Sequence, residues 1–229
     1  MKNPFRVFTK WELLIWFGSA AAVTASFLLS PGNDYLTLIA ALIGVTALIF
    51  VAKGMVLGQI LTVVFSVFYG IVSYWLGYYG EMITYLCMTS PIAVLSVISW
   101  VRHPYQESSE VEVNRVSKRQ VLVMAVLAVM VTAIFYVILG AMGNVNLIVS
   151  TVSVTTSFLA SFLTFLRSPY YGIGYGANDI VLIVLWTLAA VNDINYLPMV
   201  ICFVMFLVND IYGFVNWKKM QKRQLYMAE

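Results

Sequence analysis

Leu38-Ile39-Ala40-Ala41-Leu42-Ile43-Gly44-Val45-Thr46 returns 109 residues later as Leu147-Ile148-Val149-Ser150-Thr151-Val152-Ser153-Val154-Thr155, with four of nine positions identical. The correspondence continues in order. Gly58-Gln59-Ile60 faces Ala177-Asn178-Asp179 at an offset of 119, and Ser99-Trp100 faces Asn216-Trp217 at an offset of 117, each Trp soon followed by basic residues. The wider offset of the later landmarks is absorbed by Pro169 to Gly176, a glycine-rich stretch that reads as a loop. Each copy covers three apolar segments. The two copies start four segments apart, an even number, so both run the same way through whatever surrounds them. That is a parallel repeat, two three-helix bundles related by an axis along the membrane normal.

The surroundings follow from composition. The 229 residues are 62% hydrophobic and only 10% charged, against about 45–50% and about 25% in a soluble domain. No core of this size hides that excess. Eight continuous apolar runs, at roughly 11–30, 35–52, 55–77, 81–101, 119–141, 145–166, 178–193 and 196–217, have the length of membrane-spanning helices. They lack the ten-residue alternation of barrel strands. The expected fold is therefore an all-α polytopic membrane protein. It comprises an extra N-terminal helix (1–34), a first three-helix repeat (35–101), a loop and linker helix (102–143), a second repeat (144–217) and a basic tail (218–229).

The net charge of +3 matters less than where the cations lie. Lys2, Arg6 and Lys10 precede the first span, Lys53 follows the second, and Arg102, Arg115, Lys118 and Arg119 lie between the fourth and fifth. Arg167 follows the sixth, and Lys218, Lys219, Lys222 and Arg223 follow the eighth. All 13 fall on one side, which the positive-inside rule makes cytoplasmic together with both termini. The basic start and apolar run of the first span are not a signal peptide, because the run is too long and opens with Trp11 and Trp16. The two cysteines, Cys87 and Cys202, have no redox or metal spacing and read as small apolar core residues.

Polar side chains within spans are expensive in lipid and face a cavity or a packed helix. Gln59, Thr62, Ser66, Tyr69 and Ser73 share one face of the third span. Cys202, Met205, Asn209, Tyr212 and Asn216 share one face of the eighth. Asn178-Asp179 opens the seventh, with Trp186 two turns along the same face, and Thr46 answers from the second. Hydroxyls often serve only close packing. The amides of Gln59, Asn178 and Asn209 are costlier to bury unpaired, and the aromatic faces of Tyr69 and Trp186 suit a flat or cationic ring. Asp179 and Asp210 are placed near the cytoplasmic end, where helix capping competes with binding, and no ion-coupling carboxylate is expected in mid-span. With no Lys or Arg inside the spans, a neutral or cationic, flat, hydroxylated molecule fits and a phosphorylated nucleotide does not.

Asn178-Asp179-Ile180 through Trp186, Tyr196-Leu197-Pro198-Met199-Val200, and Asn209-Asp210-Ile211-Tyr212-Gly213-Phe214-Val215-Asn216-Trp217-Lys218-Lys219-Met220 together resemble the PnuC family of bacterial vitamin transporters. The likeness is strongest over about 170–220 and looser in the first half, while length and span count agree throughout. It implies a 3+1+3 layout like that of the SWEET sugar transporters, with one extra N-terminal span. It further implies facilitated diffusion of nicotinamide riboside across the inner membrane, phosphorylation by a cytoplasmic nicotinamide riboside kinase that traps it, and a possible homotrimer. On that resemblance Gln59, Tyr69, Asn178, Trp186, Asn209, Tyr212, Thr46 and Asp210 are the substrate-binding candidates. Stacking falls to Trp186 and the tyrosines, the carboxamide to Gln59 or Asn178, and ribose hydroxyls to Asn209. Relatives in the family carry thiamine or riboflavin, which leaves the vitamin open.

Other classes fare worse. A membrane-embedded enzyme lacks its groups: the single histidine, His103, sits beside Pro104 in a loop, and no metalloprotease motif or Ser–His pairing occurs. No catalytic residue, metal site, cofactor or nucleic-acid partner is expected. A channel needs a filter of carbonyls or charges, and no such motif appears.

Overall fold

The computed structural model describes residues 8–32, 35–75, 79–106, 108–144 and 146–227. Lys2 and Arg6, the Asn33-Asp34 break and Gly77 lie outside the described residues. Among the described residues, eight helices long and apolar enough to cross a membrane run up and down. They are α1 (Lys10–Leu29), α2 (Tyr35–Ala52), α3 (Val56–Trp75), α4 (Tyr79–Val101), α5 (Lys118–Ala141), α6 (Leu147–Phe165), α7 (Tyr171–Asn192) and α8 (Leu197–Tyr226). A bilayer core offers backbone groups no water, so each apolar run closes its own hydrogen bonds as a helix. Capping boxes start α1 (Thr9 with Glu12) and α5 (Ser117 with Gln120), satisfying donors that the first turn leaves over. The chain is a multi-pass membrane protein.

Bundle one is α2–α4 and bundle two is α6–α8, with α5 between them in sequence. They meet where α2 packs on α8 and α4 packs on α6. Exchanging the bundles turns each contact into the other, as a two-fold repeat demands. The landmarks follow the same rule. Trp100 at the end of α4 donates its indole N–H to the Thr164 carbonyl at 3.0 Å, and Ser99 donates to the Phe165 carbonyl at 3.0 Å. Their counterparts on α8 reach the other bundle. Trp217 donates to the Val51 carbonyl at 2.9 Å and Asn216 to the Ala52 carbonyl at 2.8 Å. Both indoles are fully buried, with ring centroids 5.3 Å apart. These crossed clamps shut one end of the molecule, the end that carries the described cations.

Two boundaries differ from the sequence reading. The seventh helix begins at Tyr171 rather than 178, so Pro169 to Gly176 is mostly helix, not loop. Here the glycines permit close helix packing. A Cβ on Gly172 would lie 2.6 Å from the Asp210 carbonyl oxygen, and one on Gly174 would lie 2.9 Å from the Ala160 Cα. The eighth helix runs on to Tyr226, so Lys218 to Arg223 is a helical extension rather than a free tail. Gln224 on this extension accepts from the Val113 N–H at 2.8 Å and donates to the Val111 carbonyl at 3.1 Å. Arg223 pairs with Glu110, so the 102–118 loop is fastened to α8. Cys202 is buried as expected, but Cys87 is exposed on α4.

The extra helix α1 lies against α2 and α8 through one stripe: Glu12, Trp16, Ser19, Val23 and Phe27. Glu12, fully buried, accepts from Tyr212 Oη at 2.6 Å and pairs with Lys53 Nζ at 3.1 Å. Trp16 donates to Thr46 Oγ1 at 3.3 Å, and Asn209 Nδ2 donates to Ser19 Oγ at 2.9 Å.

Two tests follow. Gly174→Leu overpacks α6 against α7 and is expected to cost about 1–3 kcal/mol, read as a lower unfolding temperature in detergent. Gly18→Leu, with no atom within 4 Å of an added Cβ, is expected to leave that temperature unchanged. Trp100→Phe and Trp217→Phe each delete one buried N–H donor and are expected to cost about 0.5–1.5 kcal/mol apiece. A drop in unfolding temperature in one variant without the other would contradict the two-fold equivalence of the clamps.

Candidate functional site

Between the bundles lies a small cavity of about 50 Å³, room for a few waters and too small for a nucleoside. Every helix of both repeats contributes to its wall. Gly44, Ala47, Leu48 and Val51 come from α2, and Gln59, Thr62 and Phe65 from α3. Tyr85 and Thr89 come from α4, Ser157 from α6, Tyr175, Asn178 and Asp179 from α7, and Phe203, Phe206 and Asp210 from α8. No Lys, Arg or His lines it among the described residues.

Local structure delivers these groups. α4 is interrupted by a π-helical segment, Thr84–Thr89, in which the Ser90 N–H reaches back to the Tyr85 carbonyl. Pro91 follows and has no N–H to give that turn. The inserted residue puts both Tyr85 and Thr89 on the inner face, and such bulges recur at functional sites. On α7 the early helix start carries Asp179 eight residues inside, about 12 Å from the helix end. Thr156 on α6 donates to Asn178 Oδ1 at 2.8 Å, orienting that amide. The carboxyls of Asp179 and Asp210, from adjacent helices, lie within hydrogen-bonding reach of each other. Asp179 Oδ2 and Thr89 Oγ1 are buried without a hydrogen-bond partner.

Two aromatic layers bound the cavity. Toward the cation-rich end stand Trp100, Trp217 and Tyr171; the Tyr171 ring is 4.9 Å from Trp217. Toward the other end, Tyr85 packs edge-on against Tyr69 at 4.6 Å and against Phe65 at 5.8 Å. Phe65 in turn meets Phe206 at 5.8 Å. Beyond this second layer the protein opens into two vestibules that share Trp186. One, about 380 Å³, is lined by Tyr69, Ser73, Trp186, Asp193, Asn195 and Tyr196 among others. The other, about 230 Å³, includes Glu81, Asn144, Asn146 and Ser150. Among the described residues, each contains one acidic side chain and no cation. The path is therefore shut at the cation-rich end, constricted in the middle and open at the far end.

The eight sequence candidates separate into three groups. Gln59, Asn178 and Asp210 meet in the central cavity. Tyr69 and Trp186 line the vestibules, with Trp186 5.7 Å from Tyr196. Thr46, Asn209 and Tyr212 do not line the cavities: α1 covers that face and bonds Thr46 Oγ1, Asn209 Nδ2 and the Tyr212 hydroxyl, while Asn209 Oδ1 is buried without a hydrogen-bond partner. The polar stripe of the eighth span thus faces its neighbour helix, while Phe203, Phe206 and Asp210, off that stripe, face the cavity. Asp179 and Asp210 are only 3% and 2% exposed and lie well inside their helices, which corrects their placement near the cytoplasmic end, where capping or a solvated face was the alternative. Tyr85, Thr89, Ser157, Tyr175 and Asp179 complete the lining and were not among the candidates. The π register breaks the 3.6 periodicity that would have revealed Tyr85 and Thr89. Asp179 was misread because the glycine run masked two helical turns.

A site at the seam of two parallel repeats has relatives. The Neisseria mucosa protein named nicotinamide riboside transporter PnuC is 29% identical over 216 residues, spanning 92% of this chain and 81% of that one. The crystal structure of the vitamin B3 transporter PnuC superposes with a TM-score of 0.80 at 26% identity, over 95% of this chain and 94% of its own. Residues 34–219, which hold both repeats, the linker and every cavity-lining side chain, match the family described as nicotinamide mononucleotide transporter. The chain belongs to that transporter family, with α1 lying before the matched region.

Proposed function

We propose that this chain carries nicotinamide riboside across the bacterial inner membrane by facilitated diffusion, with both termini and the cation-rich end in the cytoplasm. The observation that carries the reading is the central cavity: amides, hydroxyls and aromatic faces beside two carboxyls, with no cation among its described residues. Gln59 and Asn178 offer the paired donors and acceptors a carboxamide needs. Ser157, Thr62 and Thr89 suit ribose hydroxyls, and Tyr85 and Phe206 offer faces to a pyridinium ring. A phosphate monoester, nearly doubly charged, has no partner there and two carboxyls against it. The chemistry therefore favours the riboside over the mononucleotide of the family's description. Thiamine, also a fixed cation, is the second reading, and it draws support from the same carboxyls.

The two bundles rock about the site. Opening the Tyr69–Tyr85 layer admits substrate from the acidic vestibules, and parting the Trp100 and Trp217 clamps releases it to the cytoplasm. A cytoplasmic nicotinamide riboside kinase then traps the product as the phosphate, which the cavity rejects. No catalytic group is required of the chain itself. The reading includes a homotrimer in which the exposed faces of α5 meet; a native mass of three chains in detergent is the expected result.

Proteoliposomes test the substrate. Uptake of labelled nicotinamide riboside is expected to saturate and to show counterflow, with no uptake of the mononucleotide. Flux that never saturates, or equal uptake of the phosphate, would contradict the reading. Gln59→Ala and Asn178→Ala each remove a buried polar partner and are expected to weaken binding about tenfold or more, measured by titration on the purified protein.

A further inference from the structure

The same cavity holds a feature that transport of a nucleoside does not by itself require. Asp179 and Asp210 meet at 3% and 2% exposure, and one of their oxygens, Asp179 Oδ2, has no hydrogen-bond partner although it is buried in the cavity wall. Thr89 Oγ1, on a different helix of the other bundle, is left unpartnered in the same cavity. Unpaired buried polar atoms from two bundles converging on one space mark a place for a ligand. The surrounding titratable groups are Tyr171 and Tyr175 on α7, Cys202 on α8 and Tyr85 on α4, none of them basic. The cavity faces of α2, α3 and α6 carry Gly44, Ala47, Leu48, Val51, Gln59, Thr62, Phe65 and Ser157, none of them titratable. Nothing here neutralises a carboxylate, and two carboxylates in contact cannot both stay ionised.

We propose that the Asp179–Asp210 pair is the exchangeable counter-charge of the transported cation. The empty cavity holds both carboxyls protonated and neutral. A substrate with a fixed positive charge seats against the pair and displaces one proton, leaving one carboxylate, one carboxylic acid and the cation: two protons and no net charge before, one proton and no net charge after. The displaced proton leaves to water on the side from which the substrate came, and the pair takes one up again where the substrate departs. The site then crosses the membrane neutral whether loaded or empty. At equal pH on both faces the exchange only equilibrates the substrate, as facilitated diffusion does. The device also sorts substrates, since a neutral nucleoside of the same shape displaces no proton and gains no counter-charge.

The proposal rests on the reading of the cavity as a site for a pyridinium nucleoside, and calorimetry on the purified full chain separates the two. Nicotinamide riboside and its uncharged reduced form, dihydronicotinamide riboside, are titrated in two buffers of different ionisation enthalpy between pH 5.5 and 8. The oxidised cation is expected to release about one proton and to bind about tenfold tighter per pH unit in the acidic range, while the reduced form releases none. Asp179→Asn/Asp210→Asn is expected to invert the preference, binding the reduced form more tightly than the cation. Should that variant fail to fold, the wild-type proton count alone decides. Cation binding with no proton release and a flat pH profile overturns the proposal while leaving the substrate reading intact. Proton-releasing binding of thiamine without binding of nicotinamide riboside supports the counter-charge and overturns the substrate. Failure of every fixed cation to bind overturns both.

Discussion

Trp100 and Trp217 each give an indole N–H to a carbonyl of the opposite bundle at the cation-rich end, and much of the molecule is organised around that reciprocity. Each ring must enter the partner bundle fully buried, because its N–H needs an acceptor that lipid cannot supply. The acceptors, the Thr164 and Val51 carbonyls, belong to the last turns of α6 and α2, where each also takes a backbone N–H from the turn that follows, Arg167 and Gly54. One set of hydrogen bonds thus satisfies two buried donors, ties the bundles together and closes one end of the path. Because the two clamps are equivalent, the seam between the bundles is a pseudo-two-fold axis, and a cavity on that axis draws on both repeats.

Departures from this symmetry are where the transport chemistry resides. Gln59 on α3 corresponds to Asn178 on α7, so each repeat offers an amide at matching depth. The next position differs: Ile60 is exposed on α3, while its counterpart Asp179 is buried beside Asp210. The carboxyls both come from the second bundle, while the π-helical bulge that turns Tyr85 and Thr89 inward belongs to the first. A duplicated scaffold thus carries two unlike halves of a site. The added helix α1 breaks the symmetry from outside, taking up Thr46, Asn209 and Tyr212 on one flank only.

Much of the fold was legible because membrane burial imposes blunt requirements. Long apolar runs, cations gathered at alternate breaks, and Ser99-Trp100 echoed by Asn216-Trp217 specify the span number, the relative orientation and the repeat. The helix ends were less legible. Gly172 and Gly174 look like loop residues, yet they let α7 approach Asp210 and Ala160 within distances no side chain tolerates; a pattern rule cannot distinguish a turn from close packing. The site was legible in part for a related reason. Gln59, Asn178 and Asp210 stand out as costly residues to bury, but cost alone does not say whether the relief comes from a ligand or from a neighbouring helix. Tyr212 and the Asn209 Nδ2 find theirs on α1, close in sequence to residues that face the path.

The small cavity also bears on how a cation can pass through a hydrophobic barrier at all. Moving an uncompensated charge to low dielectric costs far more than any set of stacking contacts returns. Fixed ionised carboxylates would offset that charge but would be equally unfavourable when the site is empty, and a lysine or arginine held against them would restore neutrality only by competing with the substrate. Two carboxyls sharing protons meet both conditions, since the charge they present changes with what occupies the cavity. The small volume between the aromatic layers then has a physical reason. A narrow site around a pair that, in the proposed exchange, carries no charge when empty leaves little room for the water that would conduct ions or free protons while the carrier turns.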